Sequence, residues 1–105
     1  MKEIKAYIRN EMVDIVLDAL AGLPSSPAVT LLPVRGFGHP KGGGPPQVVE
    51  RTKLEIVVLD EQVEAVVNSI REHARTGALG DGKIFVSDVD TALRIRTGDR
   101  DEQAL

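Results

Sequence analysis

The chain has no cysteine and no tryptophan among its 105 residues. Without cysteine there is no disulfide framework, no thiol nucleophile and no thiolate metal ligand. Only two histidines are present, His39 and His73, far apart in sequence, so no metal site is expected. Aromatic residues are as scarce: Tyr7, Phe37 and Phe85 are all there are. An RNA-binding sheet stacks bases on aromatic side chains and would need more of them. The net charge of −3 gives no general attraction to nucleic acid or to acidic membranes. No apolar run approaches the ~20 residues a membrane-spanning helix requires. Met1 to Lys5 alternates in polarity and lacks the apolar core of a signal peptide. The expectation is a single cytoplasmic domain, with no membrane insertion and no nucleic-acid partner.

What the chain does have is glycine, ten residues of it, concentrated in two stretches. One is Thr76-Gly77-Ala78-Leu79-Gly80-Asp81-Gly82-Lys83. Glycines allow positive φ and close approach to a ligand. Consecutive N–H groups in such a loop can form a nest for an anion, to which a lysine adds a point charge. From Gly77 the spacing reads G-x-x-x-x-G-K, but Ile84 follows where a P-loop carries a magnesium-binding hydroxyl. A P-loop also leads from a strand into a helix, whereas this loop leads from a helix into a strand.

Before and after it, periodicity defines the elements. Lys2 to Arg9 alternates, with Ile4, Ala6 and Ile8 on one face, and reads as a strand. Asn10 is placed to cap a helix in which Met12, Val13, Val16, Leu17 and Leu20 recur at helical spacing. Gly22 and Pro24 end it. Ala28 to Arg35 reads as a second strand, which Pro33 assigns to a sheet edge. Gly36 to Pro46 is rich in glycine and proline and reads as a long flexible loop with a functional role. Arg51 to Leu59 is a third strand, with Leu54, Ile56 and Val58 on its apolar face and a charged Glu55 on the other. Asp60 is placed to cap a second helix, which carries the stripe Val63, Val66, Val67, Ile70 and Ala74 and ends in Arg71, His73 and Arg75. Lys83 to Ser87 is a fourth strand. Leu93-Arg94-Ile95-Arg96 alternates as a short fifth, with both arginines on one face. Asp99 to Leu105 reads as an acidic, mobile tail with which those arginines could merely pair.

The order βαββαβ gives an α+β, ferredoxin-like subunit, with both helices on one face of an antiparallel sheet. The other face would carry Tyr7, Thr30, Glu55 and Val57, a mixture that invites self-association around a symmetry axis. Three places offer anion donors: Gly80 to Lys83, the Arg94/Arg96 pair, and Gly36-Phe37-Gly38. Phosphate wants such a mixture of N–H groups, lysine and planar arginine.

Four segments together resemble the PII signal-transduction family: Val34-Arg35-Gly36-Phe37-Gly38, Lys53-Leu54-Glu55-Ile56-Val57-Val58, Thr76 to Phe85, and Arg94-Ile95-Arg96-Thr97-Gly98. The resemblance runs over 1–98, leaving 99–105 as a tail. It implies a homotrimer with adenine nucleotide (ATP, ADP or AMP) bound between subunits. The clefts would be built from a T-loop at about 38–50, a B-loop at 76–83 and the C-terminal loop. On that likeness Gly80, Asp81, Gly82 and Lys83 hold phosphates, Arg94 and Arg96 reach them from the adjacent subunit, and Thr30, Glu55 and the backbone at Val57 surround the adenine and ribose. Gly36 and Gly38 let the loop base approach. The T-loop would signal to a partner protein, a transporter or a metabolic enzyme.

The departures from the family are specific. The T-loop is shorter than usual and holds no tyrosine, so uridylylation at that position is impossible. Gly38-His39-Pro40-Lys41-Gly42 stands where the family has G-R-Q-K-G, so Pro40 replaces the glutamine that chelates magnesium and helps to bind 2-oxoglutarate. Arg51 aligns with a lysine that pairs with 2-oxoglutarate, and classical sensing of that ligand is expected to be lost or altered. Lys41 and Arg51 could instead hold a small anion such as bicarbonate, in a non-classical member tied to carbon metabolism. A nucleotide-hydrolysing enzyme is the less favoured alternative. Asp81 is its only obvious base, and no paired carboxylates or triad-like histidine accompany it.

Overall fold

A computed structural model describes residues 1–39 and 43–105. Strand β1 (Lys2–Ile8) leads through a 3₁₀ turn into helix α1 (Val13–Ala21). Strands β2 (Thr30–Gly38) and β3 (Gln47–Val58) form a hairpin, a second 3₁₀ turn opens helix α2 (Val63–Ala74), and β4 (Lys83–Asp88) returns to the sheet. The strand order is β2-β3-β1-β4 and every pairing is antiparallel. This is the expected ferredoxin-like sheet, with Pro33 on the outermost strand, where its missing N–H is harmless.

Alternation along β1 and β3 decides which face is buried. Ile4, Ala6 and Ile8 meet Leu54, Ile56 and Val58 beneath Val16 and Leu20 of α1 and Val66, Ile70 and Ala74 of α2. Ile4, Leu54, Val16, Val66 and Ile70 are fully enclosed. The opposite face keeps Lys5, Tyr7, Lys53 and Glu55. The Lys53 ammonium lies 3.1 Å from the Glu55 carboxylate and 5.8 Å from the Tyr7 ring centre, while Tyr7 meets Phe85 edge-to-face. The hydrogen bond from Lys53 to Glu55 raises the Lys53 pKa. Glu55 thus has a partner within its own strand.

Both expected helix caps are employed elsewhere. The Asn10 Oδ1 accepts a hydrogen bond from the Thr52 hydroxyl, 2.7 Å away, and α1 begins three residues later. Asp60 binds the Met1 amino group at 2.8 Å, and the α2 entry is closed instead by Gln62, whose Oε1 accepts the Leu59 N–H at 3.0 Å. A tertiary partner prevails over a local cap when it brings a full charge or a neighbouring strand.

Further expectations change. Gly36, Phe37 and Gly38 are strand rather than loop, paired with Val49, Val48 and Gln47. β1 reaches only as far as Thr52, so this end of the hairpin is a two-stranded ribbon beyond the main sheet. The expected short strand at 93–96 reduces to one bridge, Leu93 with Arg100, because Ile95 to Thr97 turn the chain back. The acidic tail is folded: Asp101–Ala104 form a 3₁₀ turn, and the Asp101 carboxylate accepts the Ala92 N–H. Pro40, Lys41 and Gly42 lie outside the described residues.

Candidate functional site

The glycine-rich loop between α2 and β4 is built inward around one carboxylate. Asp81 Oδ2 accepts the N–H groups of Thr76 and Gly77, both at 2.9 Å, and its Oδ1 accepts the Thr76 hydroxyl. Arg9, at the end of β1, donates from Nε to the same Oδ1 at 3.0 Å. The Thr76 hydroxyl foremost, with these amides and the guanidinium, holds the Asp81 pKa well below the usual carboxylate range. A carboxylate so committed is a poor base. Its side chain organises the loop, and what the loop can offer a ligand is its backbone.

Two guanidiniums orient that backbone. Arg9 Nη2 donates to the Leu79 carbonyl at 2.7 Å, and Arg51 Nη2 donates to the Gly80 carbonyl at 3.1 Å. In a planar trans peptide the N–H points opposite to the carbonyl it shares a plane with. Drawing the carbonyls of Leu79 and Gly80 onto the arginines therefore turns the N–H groups of Gly80 and Asp81 the other way. Neither N–H donates to another group among the described residues. Two adjacent N–H groups without partners among the described residues, in the cleft that Lys83 also lines, are an anion nest in chemical terms.

The loop requires glycine at the point where it meets the sheet. Gly82 has φ +105°, and a Cβ there would lie 1.7 Å from the Tyr7 carbonyl oxygen. Gly80 also has positive φ, and a Cβ would press on the Arg51 and Arg9 guanidinium groups at 3.2 and 3.4 Å.

The expected site residues fall into two groups. Gly80, Asp81, Gly82, Lys83, Gly36, Gly38 and Arg51 line one cleft of ≈ 640 Å³, joined by Phe37 and His39. Thr30, Glu55 and Val57 line another, of ≈ 730 Å³, with Glu3, Glu102 and Leu105. Thr30 and Gly36 belong to the same strand but stand about 20 Å apart along it. Arg94 and Arg96 line neither cleft. Arg94 donates to the Leu105 carbonyl at 2.9 Å and lies 3.9 Å from Asp99, so in the single chain this arginine pairs with the tail, the alternative to a role at the phosphates. Arg96 is exposed on the turn. Arg51, read as a partner for a second anion, binds the carbonyls of Gly80 and of Glu50. Arg9 carries no local signal of its role, because its partner is 72 residues away.

Known proteins resemble the chain along nearly all of its length. The profile of the nitrogen regulatory protein P-II family matches residues 1–99. The chain is 42% identical to a nitrogen regulatory protein P-II of Pasteurella multocida and 44% identical to one of Synechocystis, in each case over the full length of both chains. A P-II protein of Rhizobium meliloti is 43% identical over 94% of this chain and 95% of its own. The alignments with the Pasteurella and Synechocystis proteins span 113 and 115 positions, so each relative has residues without a counterpart here. The chain belongs to the nitrogen regulatory protein P-II family, whose members are signal-transduction regulators.

Proposed function

We propose that this chain is a trimeric PII-type regulator that binds an adenine nucleotide with its phosphates on the Gly80–Lys83 loop and signals through the β2–β3 connection without catalysing a reaction. The observation that carries this reading is the turned-out pair of N–H groups at Gly80 and Asp81, fixed by Arg9 and Arg51 beside Lys83. A preformed nest needs little reorganisation when an anion arrives. It also holds phosphate without a base or a metal-binding hydroxyl beside it, since the Asp81 carboxylate is occupied four times over.

The separation of the two clefts supports a site between copies. A neighbour whose Thr30 end meets the glycine loop of the next subunit would bring Glu55, Val57, Arg94 and Arg96 towards the phosphates. The apolar groups left uncovered here favour such packing: Phe85 and Leu93 are half exposed and Ile95 is almost fully exposed. Signalling follows as a population shift, in which the nucleotide orders the β2–β3 connection by as much as it prefers one of its conformations. Pro40 stands in place of the family's glutamine, which supports a loss of classical 2-oxoglutarate sensing, and the T-loop holds no tyrosine to uridylylate.

Isothermal calorimetry with ATP, ADP and AMP tests the reading. Saturable binding is expected, weakened in Lys83→Ala and in Arg96→Ala. No binding at millimolar nucleotide would overturn it, as would unchanged phosphate-dependent affinity in both variants.

A further inference from the structure

The glycine loop has a second side. Behind it, between α2 and the start of β4, lies a groove of ≈ 420 Å³ whose apolar wall is formed by the partly exposed Val67 of α2 and Ile84 of β4, with the buried Ile70 beneath them. Arg71 and Arg75 stand on its rim, one helical turn apart. Like charges at that spacing repel. Among the described residues neither guanidinium has a carboxylate within 4.0 Å. Asp81 also lines the groove, but its oxygens are taken by Thr76, Gly77 and Arg9. The C-terminal dipole of α2 accounts for cations at this end of the helix. It does not account for an apolar wall left open beside them.

We propose that this groove binds a small organic carboxylate with an apolar body, the carboxylate held by Arg71 and Arg75 and the body covering Val67 and Ile84. A planar guanidinium matches a carboxylate with two parallel hydrogen bonds, and a second one a turn away removes the repulsion between them once an anion is shared. The groove's size falls within the range of small-ligand sites. Asp81, Gly82 and Lys83 line both this groove and the cleft on the loop's other side, so an occupant here sits against the backbone that shapes the anion nest.

The test uses the full chain with methyl-labelled valine and isoleucine, and it does not depend on nucleotide binding. Titration with 3-phenylpropanoate is expected to give saturable shifts at Val67 and Ile84 and smaller ones at the buried Ile70 and the Gly82 amide. The uncharged 3-phenylpropanamide should shift none of them. The Arg71→Gln/Arg75→Gln double variant, altered only at exposed positions, should bind the acid about tenfold more weakly or worse, the worth of one charge-assisted hydrogen bond. Equal binding of acid and amide, unchanged affinity in the double variant, or no saturable shift would each overturn the proposal. So would intersubunit contacts to these methyl groups, which would show a second copy of the chain filling the groove.

Discussion

Arg9 and Asp81, 72 residues apart, meet at 3.0 Å and tie the end of β1 to the centre of the glycine loop. The same guanidinium takes the Leu79 carbonyl, so one side chain fixes both the loop's anchor and the direction of its next N–H. Arg9→Gln should lower nucleotide affinity about ten- to hundredfold, the worth of one or two hydrogen bonds to charged groups. Arg9→Lys should not restore it, because a lone ammonium cannot reproduce the two-pronged contact. Calorimetry with ATP measures both, and thermal melting shows whether the fold has survived.

The pH dependence of the loop follows from Asp81. Its pKa is lowered in the folded protein, chiefly by the Thr76 hydroxyl. A lowered carboxylate contributes stability above its unfolded pKa of about 3.9, and that contribution is lost only as pH falls towards the folded value. Amide shifts of Thr76 and Gly77 should therefore stay constant from neutral pH down to about 4 and change only in stronger acid. In Asp81→Asn an NH₂ must face at least one of the loop's donors, and these two amides should be displaced at every pH.

Gly82 and Gly77 separate backbone strain from collision. Both have positive φ, but a Cβ at Gly77 meets nothing within 4 Å, whereas at Gly82 it meets the Tyr7 carbonyl at 1.7 Å. Gly77→Ala should cost about 1–2 kcal/mol, the penalty of the left-handed region for an L residue. Gly82→Ala should cost more than that and loosen the pairing of Tyr7 with Lys83. Urea unfolding of the two variants gives the comparison directly.

The proposed trimer would pack on the sheet face that carries Phe85, which is half exposed in the single chain. Phe85→Glu should shift the sedimenting species from trimer to monomer, by placing a charge among surfaces that must desolvate. If the wild-type chain sediments as a monomer, the intersubunit site falls with it.

Ile56, with Ile4 opposite it on β1, lies at the centre of the core. Ile56→Ala should destabilise by about 2–5 kcal/mol through the lost burial and the cavity left behind. Because Ile56 lines neither cleft, nucleotide affinity of the folded fraction should be unchanged by calorimetry.

Much of this architecture is legible in the order of residues. Ile4, Ala6 and Ile8 alternate because a strand buried on one face must, and Val63, Val66, Val67, Ile70 and Ala74 repeat because a helix covering that strand must. Pro33 marks the edge strand by the hydrogen bond it cannot give. Glycine misleads where its neighbours supply the pairing: Gly36 and Gly38 read as breakers, yet Val49 and Gln47 across the hairpin keep them in a ribbon. Leu93 to Arg96 alternates like a strand, but alternation needs an edge to pair with, and the chain gives it one bridge.

By itself, then, the sequence determined the βαββαβ frame, the buried faces and the loop at 76–83, because period and glycine placement are local properties that act within a few residues. Tertiary structure alone decided how that loop is held. Arg9 reaches it from just past β1 and Arg51 from β3, and Asp60 and Asn10 leave their helices for the Met1 amine and the Thr52 hydroxyl. Such pairs are chosen by what the folded sheet brings within hydrogen-bonding distance, and no spacing along the chain encodes that.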